Sequence, residues 1–260
     1  MQRFTSFDGI GIAYAESGDG PTVLLLHGFA ADHVANWVRP GVVDALVEAG
    51  HHVVAPDARG HGESDKPHDP EAYAGDAMVS DARVLLDHLG VREVDVVGYS
   101  MGAMVASRLA PVEPRARSLV LGGVGGRLAE GRMAVRRSEL AAALLADDPR
   151  TIDNVGARAF RRFAERNGAD LQALAAMQRT PPVDGRARLR EISVPTLVIA
   201  GRDDTLAGDP AGLAAVIPNA TARVVSGDHL TAVYDPVFAQ AIVEFLAVAR
   251  SRSVRDHEST

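Results

Sequence analysis

One short run in the chain places a serine between two glycines: GYSMG, residues 98–102. The run follows the strand-forming residues VDVV and precedes small residues that suit a closely packed helix. A serine hydroxyl becomes a nucleophile when a neighbouring imidazole accepts its proton. Because serine and glycine are also ordinary turn residues, the chemistry of Ser100 depends on the partners that the rest of the chain brings to this turn.

Short β-branched runs alternate with longer helical patterns, which predicts an α/β fold with a mostly parallel, doubly wound sheet. The apolar runs VLLL and VDVV fit strands that are buried on both faces. The turn Asp8-Gly9 predicts an antiparallel hairpin at the sheet edge. Strands are predicted at residues 4–7, 12–15, 22–26, 52–55, 94–97, 118–121, 194–200 and 222–225, and helices at residues 38–49, 73–89, directly after Ser100, 211–216 and 236–249.

Reactive groups in an open parallel sheet collect at the carboxyl ends of the strands. A serine, an acid and a histidine are therefore expected at one edge, in the chain order Ser, Asp, His, which is the order of hydrolases with a G-x-S-x-G turn. The side chains that follow the predicted strands are His27, Phe29, Asp57, Ser100, Asp203, Asp204, Asp228 and His229.

Five motifs stand in the right order relative to the predicted strands: HGF (27–29), DARGHGES (57–64), GYSMG (98–102), VPTLVIAGRDD (194–204) and SGDHL (226–230). On these motifs the sequence resembles the α/β-hydrolase fold superfamily over essentially its whole ordered length. The resemblance implies a serine hydrolase of the carboxylesterase or lactonase type, with a small helical lid inserted into the core.

The resemblance assigns Ser100 as the nucleophile and His229 as the general base. It places the acid three residues after Gly201, at Asp204, and leaves the adjacent Asp203 as the alternative. The other family position for the acid, after the strand ending near Leu121, offers only glycines and a valine.

The oxyanion hole is expected to use the backbone N–H groups of Phe29 and Met101. The first lies in the loop after the third strand, and the second follows the nucleophile.

The alternation of strand and helix patterns stops in the Arg-rich stretch at residues 125–185. We therefore predict a core at residues 1–124 and 186–250, a helical cap at 125–185 and a disordered tail at 251–260. An apolar cleft under the cap would suit small to medium esters or lactones. Candidates for its walls, which could instead pack the cap to the core, are His33, Trp37, Met133, Phe160 and Phe163.

The arginines of the cap have two interpretations. They form a solvated helix face paired with acids such as Glu139 and Glu165, or one of them reaches inward to hold a substrate carboxylate. The set is Arg132, Arg136, Arg137, Arg158, Arg161 and Arg162.

The composition limits the other classes of function. With 260 residues, 47% of them apolar, and a net charge of −7, the chain is typical of a globular protein that does not bind nucleic acid non-specifically. It has no cysteine and no apolar run near the roughly 18 residues of a membrane span. Its first nine residues lack the features of a signal peptide, so we expect a soluble, cytoplasmic protein.

Neither a metal nor another cofactor is expected. The acids Asp57, Glu63 and Asp65 have no histidine at a metal-ligand spacing. A dinucleotide fingerprint that starts at Gly123 would need glycine at position 128, where the chain has Leu128.

A serine at the elbow argues against the dehalogenase and epoxide-hydrolase branches of the family, which use aspartate there. Cleavage of esters or lactones is favoured, and the alternatives on the same triad are carbon-carbon bond hydrolysis, enol-lactone hydrolysis and cofactor-free perhydrolysis. A different class is a ligand sensor on the same fold with slow turnover. The number of turnovers on a small ester separates an enzyme from a sensor.

Overall fold

The computed structural model describes residues 1–131 and 136–258, with side chains as far as residue 251. Its strands are β1 (Gln2–Thr5), β2 (Gly11–Ser17), β3 (Thr22–Leu26), β4 (His52–Pro56), β5 (Val94–Tyr99), β6 (Ala116–Gly122), β7 (Thr196–Gly201) and β8 (Ala220–Val225). They form an 8-stranded sheet in the order β1-β2-β4-β3-β5-β6-β7-β8. The strands β1 and β2 pair antiparallel with each other and β2 with β4, and the other pairs are parallel. The predicted α/β fold with a mostly parallel sheet is confirmed.

Helices cover both faces of the sheet because the central strands are apolar on both sides. In β3, Leu24 and Leu26 pack into one buried cluster, and Val23 and Leu25 pack into the cluster on the opposite face. The helices are α1 (Val42–Glu48), α2 (Ala77–His88), α3 (Met101–Leu109), α4 (Gly126–Ala129), α5 (Arg137–Leu145), α6 (Val155–Arg166), α7 (Leu171–Arg179), α8 (Arg186–Leu189), α9 (Pro210–Ala214) and α10 (Pro236–Glu258). None of the described helices is both long enough and apolar enough to span a bilayer.

The register of the parallel strands brings their carboxyl ends level with one another. Leu26 of β3 lies opposite Gly98 of β5, and Gly98 in turn lies opposite Leu121 of β6. The loops after β3, β5 and β7 therefore start at the same edge of the sheet, as expected for side chains that must meet there.

Two predicted helices are interrupted by glycines with positive φ, which ends a regular helix. The helix predicted at residues 38–49 is a π-helical segment, Val34–Val38, followed by α1 after Gly41 with φ of 79°. The helix predicted at 73–89 is a 3₁₀ segment, Pro70–Tyr73, followed by α2 after Gly75 with φ of 60°.

The predicted cap, residues 125–185, contains α4 to α7. A third cluster of buried side chains packs α5, α6 and α7 against the loop after β3 through Phe29 and against the start of α3 through Met101. That these helices form a cap stays a prediction. At the other end of the chain, α10 extends to Glu258, whereas the sequence predicts a helix to about residue 249 and a disordered tail at 251–260.

Candidate active site

Ser100 occupies a sharp turn between β5 and α3. Its backbone has φ of 52° and ψ of −108°, a conformation that costs a non-glycine residue on the order of 1–3 kcal/mol. A side chain on Gly98 would overlap the carbonyl of Gly102, and one on Gly102 would overlap the carbonyl of Leu26. The two glycines thus let helix and strand approach closely enough to raise the serine above the sheet edge.

The serine hydroxyl lies within hydrogen-bond distance of an imidazole that is itself bonded to a carboxylate. Ser100 Oγ is 2.9 Å from His229 Nε2, and His229 Nδ1 is 2.9 Å from Asp204 Oδ2. Because a carboxylate only accepts hydrogen bonds, the imidazole proton belongs on Nδ1, which leaves Nε2 free to accept the serine proton. The arrangement has the geometry by which a base activates a hydroxyl.

The two adjacent acids after β7 point in different directions. Asp204 is 4% exposed, and its Oδ1 accepts the N–H groups of Leu206 and Ala207 at 3.0 and 2.9 Å. These bonds fix the carboxylate so that Oδ2 meets His229. The neighbouring Asp203 is exposed, and its backbone N–H donates to the carbonyl of Gly227. Of the two acids that the sequence leaves open, Asp204 is the one beside the imidazole.

Two backbone N–H groups, one directly after Ser100 in the chain and one in the loop after β3, have no acceptor among the described residues. They belong to Phe29 and Met101, while the N–H groups on either side of Phe29 are taken by Asn36 and His61. Unpaired N–H groups next to a nucleophile are the donors that an oxyanion requires. That these two N–H groups form an oxyanion hole stays a prediction.

The loop that carries Phe29 is held by two buried histidines. Nδ1 of His27 is 2.8 Å from the Gly28 carbonyl, and its Nε2 accepts the N–H of Ala58 at 2.9 Å. In the same way His61 Nδ1 faces the carbonyl of Arg59 at 3.1 Å, and its Nε2 accepts the N–H of Ala30 at 3.1 Å. Each ring donates through one nitrogen and accepts through the other, so both are neutral.

The residue after Phe29 has an unusual backbone as well. Ala30 has φ of 61°, in the left-handed region that favours glycine. Its N–H is bonded to His61, and its carbonyl accepts Nδ2 of Asn167, from the residue directly after α6, at 3.0 Å. Bonds from both sides therefore hold the strained peptide next to the candidate oxyanion hole.

We expect the free energy of unfolding to decrease as the pH is lowered from about 6.5 to about 4.5 through the titration of these histidines. Burial lowers the pKa of His61 to about 3 and lowers the pKa of His27. In the unfolded chain a histidine has a pKa near 6.5, so in this range the unfolded state binds more protons. Stability is thus present above the unfolded pKa and lost as the pH falls, by up to about 1.4 kcal/mol per pH unit for His61, and His27 contributes in the same direction.

Urea unfolding of the wild type and His61→Gln across this pH range measures the effect. The variant should lose stability less steeply on acidification. His33→Gln should leave the slope in this range nearly unchanged: burial by itself lowers the pKa of His33, but the hydrogen bond and charge of Asp57 raise it above the ordinary value. Both the folded and the unfolded state therefore carry the His33 proton below about pH 6.5. Equal slopes in all three proteins would contradict the neutral, hydrogen-bonded state of His61.

A cleft of about 490 Å³ opens above the serine and the imidazole. Phe160 and Phe163 line it, as predicted for its walls, and the ring of Phe160 contacts those of Phe29 and His229 edge-on. The remaining lining residues are Gly28, Phe29, Ala31, Ala35, Asn36, Tyr99, Asn167, Leu230, Val233 and Tyr234.

Two predicted wall residues lie elsewhere, and one is outside the described residues. Trp37 is fully buried in the core behind the sheet edge, where its ring meets Tyr99 edge-on. His33 is turned away from the cleft and bonded to Asp57 through Nδ1 at 2.8 Å. These two assignments are corrected, because Trp37 packs into the apolar core and His33 is bound by a buried carboxylate. Met133 falls in 132–135, which the structure does not describe.

Sequence reasoning missed the polar residues of the cleft. Asn36 lies between His33 and Trp37, the two residues that were predicted to line the cleft instead. Asn167 follows the last turn of α6. Leu230, Val233 and Tyr234 could have been predicted to line the cleft, because they are close in the chain to His229. No comparable signal marks the asparagines, whose positions depend on how the loops fold.

Among the predicted cap arginines, Arg161 does reach inward, but toward backbone rather than toward the cleft. Its Nη1 donates to the carbonyls of Ala143, Leu144 and Ala146 at the end of α5, and its Nε pairs with Glu165. Within the described residues, the lining of the cleft contains no arginine or lysine. In the same part of the chain, no group of three or more acidic or histidine side chains is arranged to hold a metal ion.

Comparison with known proteins gives matches of two kinds. A family model described as alpha/beta hydrolase fold matches residues 21–134. Epoxide hydrolase 2 of Siraitia grosvenorii is 38% identical over 116 residues, which is 44% of this chain and 36% of that protein. The chain spans about a third of the length of several such curated relatives.

The structural matches extend over nearly the full length. A hydrolase from Pseudomonas aeruginosa PA01 is 29% identical, with a TM-score of 0.71, covering 94% of this chain and 97% of that one. A thermophilic esterase from Thermogutta terrifontis is 26% identical, with a TM-score of 0.76, covering 96% and 99%. Since the sheet order, the serine turn and both kinds of match agree, the chain has the α/β-hydrolase fold.

Proposed function

We propose that the protein is a serine hydrolase that cleaves uncharged carboxylic esters or lactones through an acyl-enzyme on Ser100. The observation that carries the proposal is the pair of 2.9 Å contacts that join Ser100 Oγ to His229 and His229 to Asp204. A hydroxyl, a base and a carboxylate that orients the base are what acyl transfer to serine requires.

In the proposed reaction, Ser100 Oγ attacks the ester carbonyl while His229 Nε2 takes its proton. The carbonyl oxygen gains the negative charge and is held by the N–H groups of Phe29 and Met101. When the tetrahedral intermediate collapses, His229 returns the proton to the departing alcohol and the acyl group stays on Ser100. A water molecule, activated by the same imidazole, then releases the acid and restores the serine.

The nucleophile itself favours acyl chemistry over epoxide opening. Attack of a serine oxygen on an epoxide carbon would form an ether, which has no carbonyl for water to attack. Attack of the same oxygen on an ester carbonyl forms a new ester, which the His229 base can hydrolyse. Relatives such as the Siraitia grosvenorii protein are named epoxide hydrolases, but a serine nucleophile such as Ser100 does not suit that reaction.

The wall of the cleft supports an uncharged substrate. Its described lining is mostly apolar, with Phe29, Phe160, Phe163 and Val233 prominent, and lacks arginine and lysine. A carboxylate brought into such a wall would lose its hydration without gaining a cation. The lack of a cation argues against the interpretation in which an arginine of the cap holds a substrate carboxylate. Substrates with neutral acyl groups are therefore preferred.

The test is a substrate panel together with active-site labelling. The panel contains alkanoyl esters of increasing chain length, simple lactones, an epoxide and an ester with a free carboxylate on its acyl group. We expect repeated turnover of neutral esters or lactones, little activity on the other two, and labelling of Ser100 alone by a fluorophosphonate, located by peptide mass spectrometry. Epoxide turnover without Ser100 labelling, or a single slow turnover on every ester, would reject the proposal.

A further inference from the structure

Tyr99 is the last residue of β5 and directly precedes Ser100, and both residues bond to the same histidine. Ser100 Oγ lies 2.9 Å from His229 Nε2, while the Tyr99 hydroxyl donates to the main-chain carbonyl of His229 at 2.8 Å. Burial raises the pKa of Tyr99 above its ordinary value, so the hydroxyl stays protonated and able to donate. One turn of the chain therefore holds the histidine both at its ring and at its backbone.

The ring of Tyr99 is fixed by its surroundings. It is 4% exposed and meets Trp37 and Phe238 edge-on, with ring centroids 6.5 and 5.8 Å away. A side chain on Gly122 would come within 2.8 Å of this ring, and one on Gly123 within 2.7 Å. The glycines at the end of β6 thus leave room for the ring, and its hydroxyl has a defined position.

The turn that carries His229 is otherwise bonded mainly to itself. The carboxylate and the carbonyl of Asp228 accept the N–H groups of residues 230–232. Among the described residues, the Tyr99 hydroxyl makes the only hydrogen bond that joins the main chain of residues 228–231 to an earlier part of the chain. The position of the turn relative to β5 therefore depends on this bond.

Proton transfer from the serine requires that the turn be placed accurately. A base must lie within about 2.6–3.2 Å of the atom whose proton it takes, and a misplacement of about 1 Å can cost about 100-fold in rate. Asp204 holds the imidazole at Nδ1, but a bond to one ring atom does not fix where the backbone of His229 lies. The bond from Tyr99 holds that other end of the residue.

We propose that Tyr99 is a positioning residue, whose hydroxyl holds the carbonyl of His229 and so keeps the imidazole at proton-transfer distance from Ser100. Its hydroxyl is taken up by that bond, so Tyr99 acts through the histidine, in the formation of the acyl-enzyme and in its hydrolysis alike. The inference rests on the proposed serine-hydrolase function and adds a residue on which the rate of that site depends.

The variant Tyr99→Phe removes the hydroxyl and keeps the ring. We expect kcat on the best ester of the panel to fall about tenfold, while KM changes by less than about twofold. KM is kept because a misplaced base slows both halves of the reaction in proportion. The rate at which a fluorophosphonate labels Ser100 should fall by a similar factor, since that step uses the same imidazole.

Tyr73→Phe is the matched control. Tyr73 is 5% exposed, its hydroxyl donates to the carbonyl of Pro67 at 2.6 Å, and it does not line the cleft. Each variant thus loses one bond from a buried tyrosine hydroxyl to a main-chain carbonyl. We expect Tyr73→Phe to keep kcat and KM within about twofold, with a similar stability to Tyr99→Phe in urea unfolding.

A double-mutant cycle with His229→Ala shows whether Tyr99 acts through the histidine. Once the imidazole is absent, removal of the Tyr99 hydroxyl should change the residual hydrolysis by less than about twofold. A general disturbance of the cleft would instead slow the residual reaction by the same factor as it slows the wild type.

The outcomes distinguish this inference from the proposed function. Equal kcat values in Tyr99→Phe and Tyr73→Phe would overturn it, as would a rise in KM alone or a loss that persists without His229. In each of these cases ester turnover and labelling of Ser100 would still support the hydrolase. If the wild type turns over no ester and Ser100 is not labelled, the proposed function fails and the role of Tyr99 falls with it.

Discussion

Replacing Ser100 by alanine is expected to lower kcat on the best ester of the panel by about 10⁴-fold or more. Without the hydroxyl no acyl-enzyme forms, and the bond from Oγ to His229 Nε2 is lost. Some residual hydrolysis should persist, because the backbone donors at Phe29 and Met101 can still stabilise an oxyanion that arises from attack by water.

The measurement is kcat and KM of wild type and Ser100→Ala at matched stability. Ser107→Ala is the matched control: Ser107 lies on the same helix, and its hydroxyl donates to the carbonyl of Met104. We expect the control to keep its activity and its labelling by fluorophosphonate. Full esterase activity in Ser100→Ala would mean that another residue is the nucleophile.

Replacing Asp204 by asparagine is expected to reduce kcat by up to about 10⁴-fold, whereas Asp203→Asn keeps kcat within roughly tenfold. The Oδ1 of residue 204 can still accept the N–H groups of Leu206 and Ala207, so the new amide nitrogen would face His229 Nδ1. An N–H at that place forces the imidazole proton onto Nε2, which can then no longer accept the serine proton.

The two adjacent variants serve as controls for each other, because each removes one negative charge. Urea unfolding should first show similar stabilities, and the ratio of kcat values then reports the role of each carboxylate. The reverse ranking would assign the acid to Asp203. Similar modest losses in both would mean that another group orients the imidazole.

Much of the fold could be predicted because the sequence pattern follows burial directly. Continuous apolar runs mark strands such as β3 and β5, which are covered on both faces, and the glycines around Ser100 mark a turn that admits no side chain. The places where the helix prediction was wrong are at Gly41 and Gly75, where a positive φ interrupts an otherwise helical pattern.

The candidate site was only partly predictable. Chain order and strand ends were enough to expect Ser100, His229 and an acid at one edge, because parallel strands align their ends. The choice of Asp204 over Asp203 came from the family resemblance. Trp37 shows the limit of this reasoning: an apolar residue in a loop can be buried by the core or by a cleft, and its sequence neighbours do not say which. The place of Asn36 at the cleft depends on a bond to Gly28 that only the folded loop reveals.

Hydrogen bonds hold the helix α6 at two points, and this links its position to ligand binding. Arg161 ties it to the end of α5, and Asn167, just beyond its last turn, ties it to the carbonyl of Ala30 next to Phe29, the proposed oxyanion donor. Displacement of α6 from the cleft would break the second tie and release the strained Ala30 peptide. Binding of a negative charge at the Phe29 N–H and docking of α6 against the cleft are then thermodynamically linked. A ligand that binds this N–H stabilises the docked position of α6, and the docked helix strengthens binding of the ligand by the same free energy. An anionic transition-state mimic bound at Ser100 would thus protect the amides of α6 from hydrogen exchange.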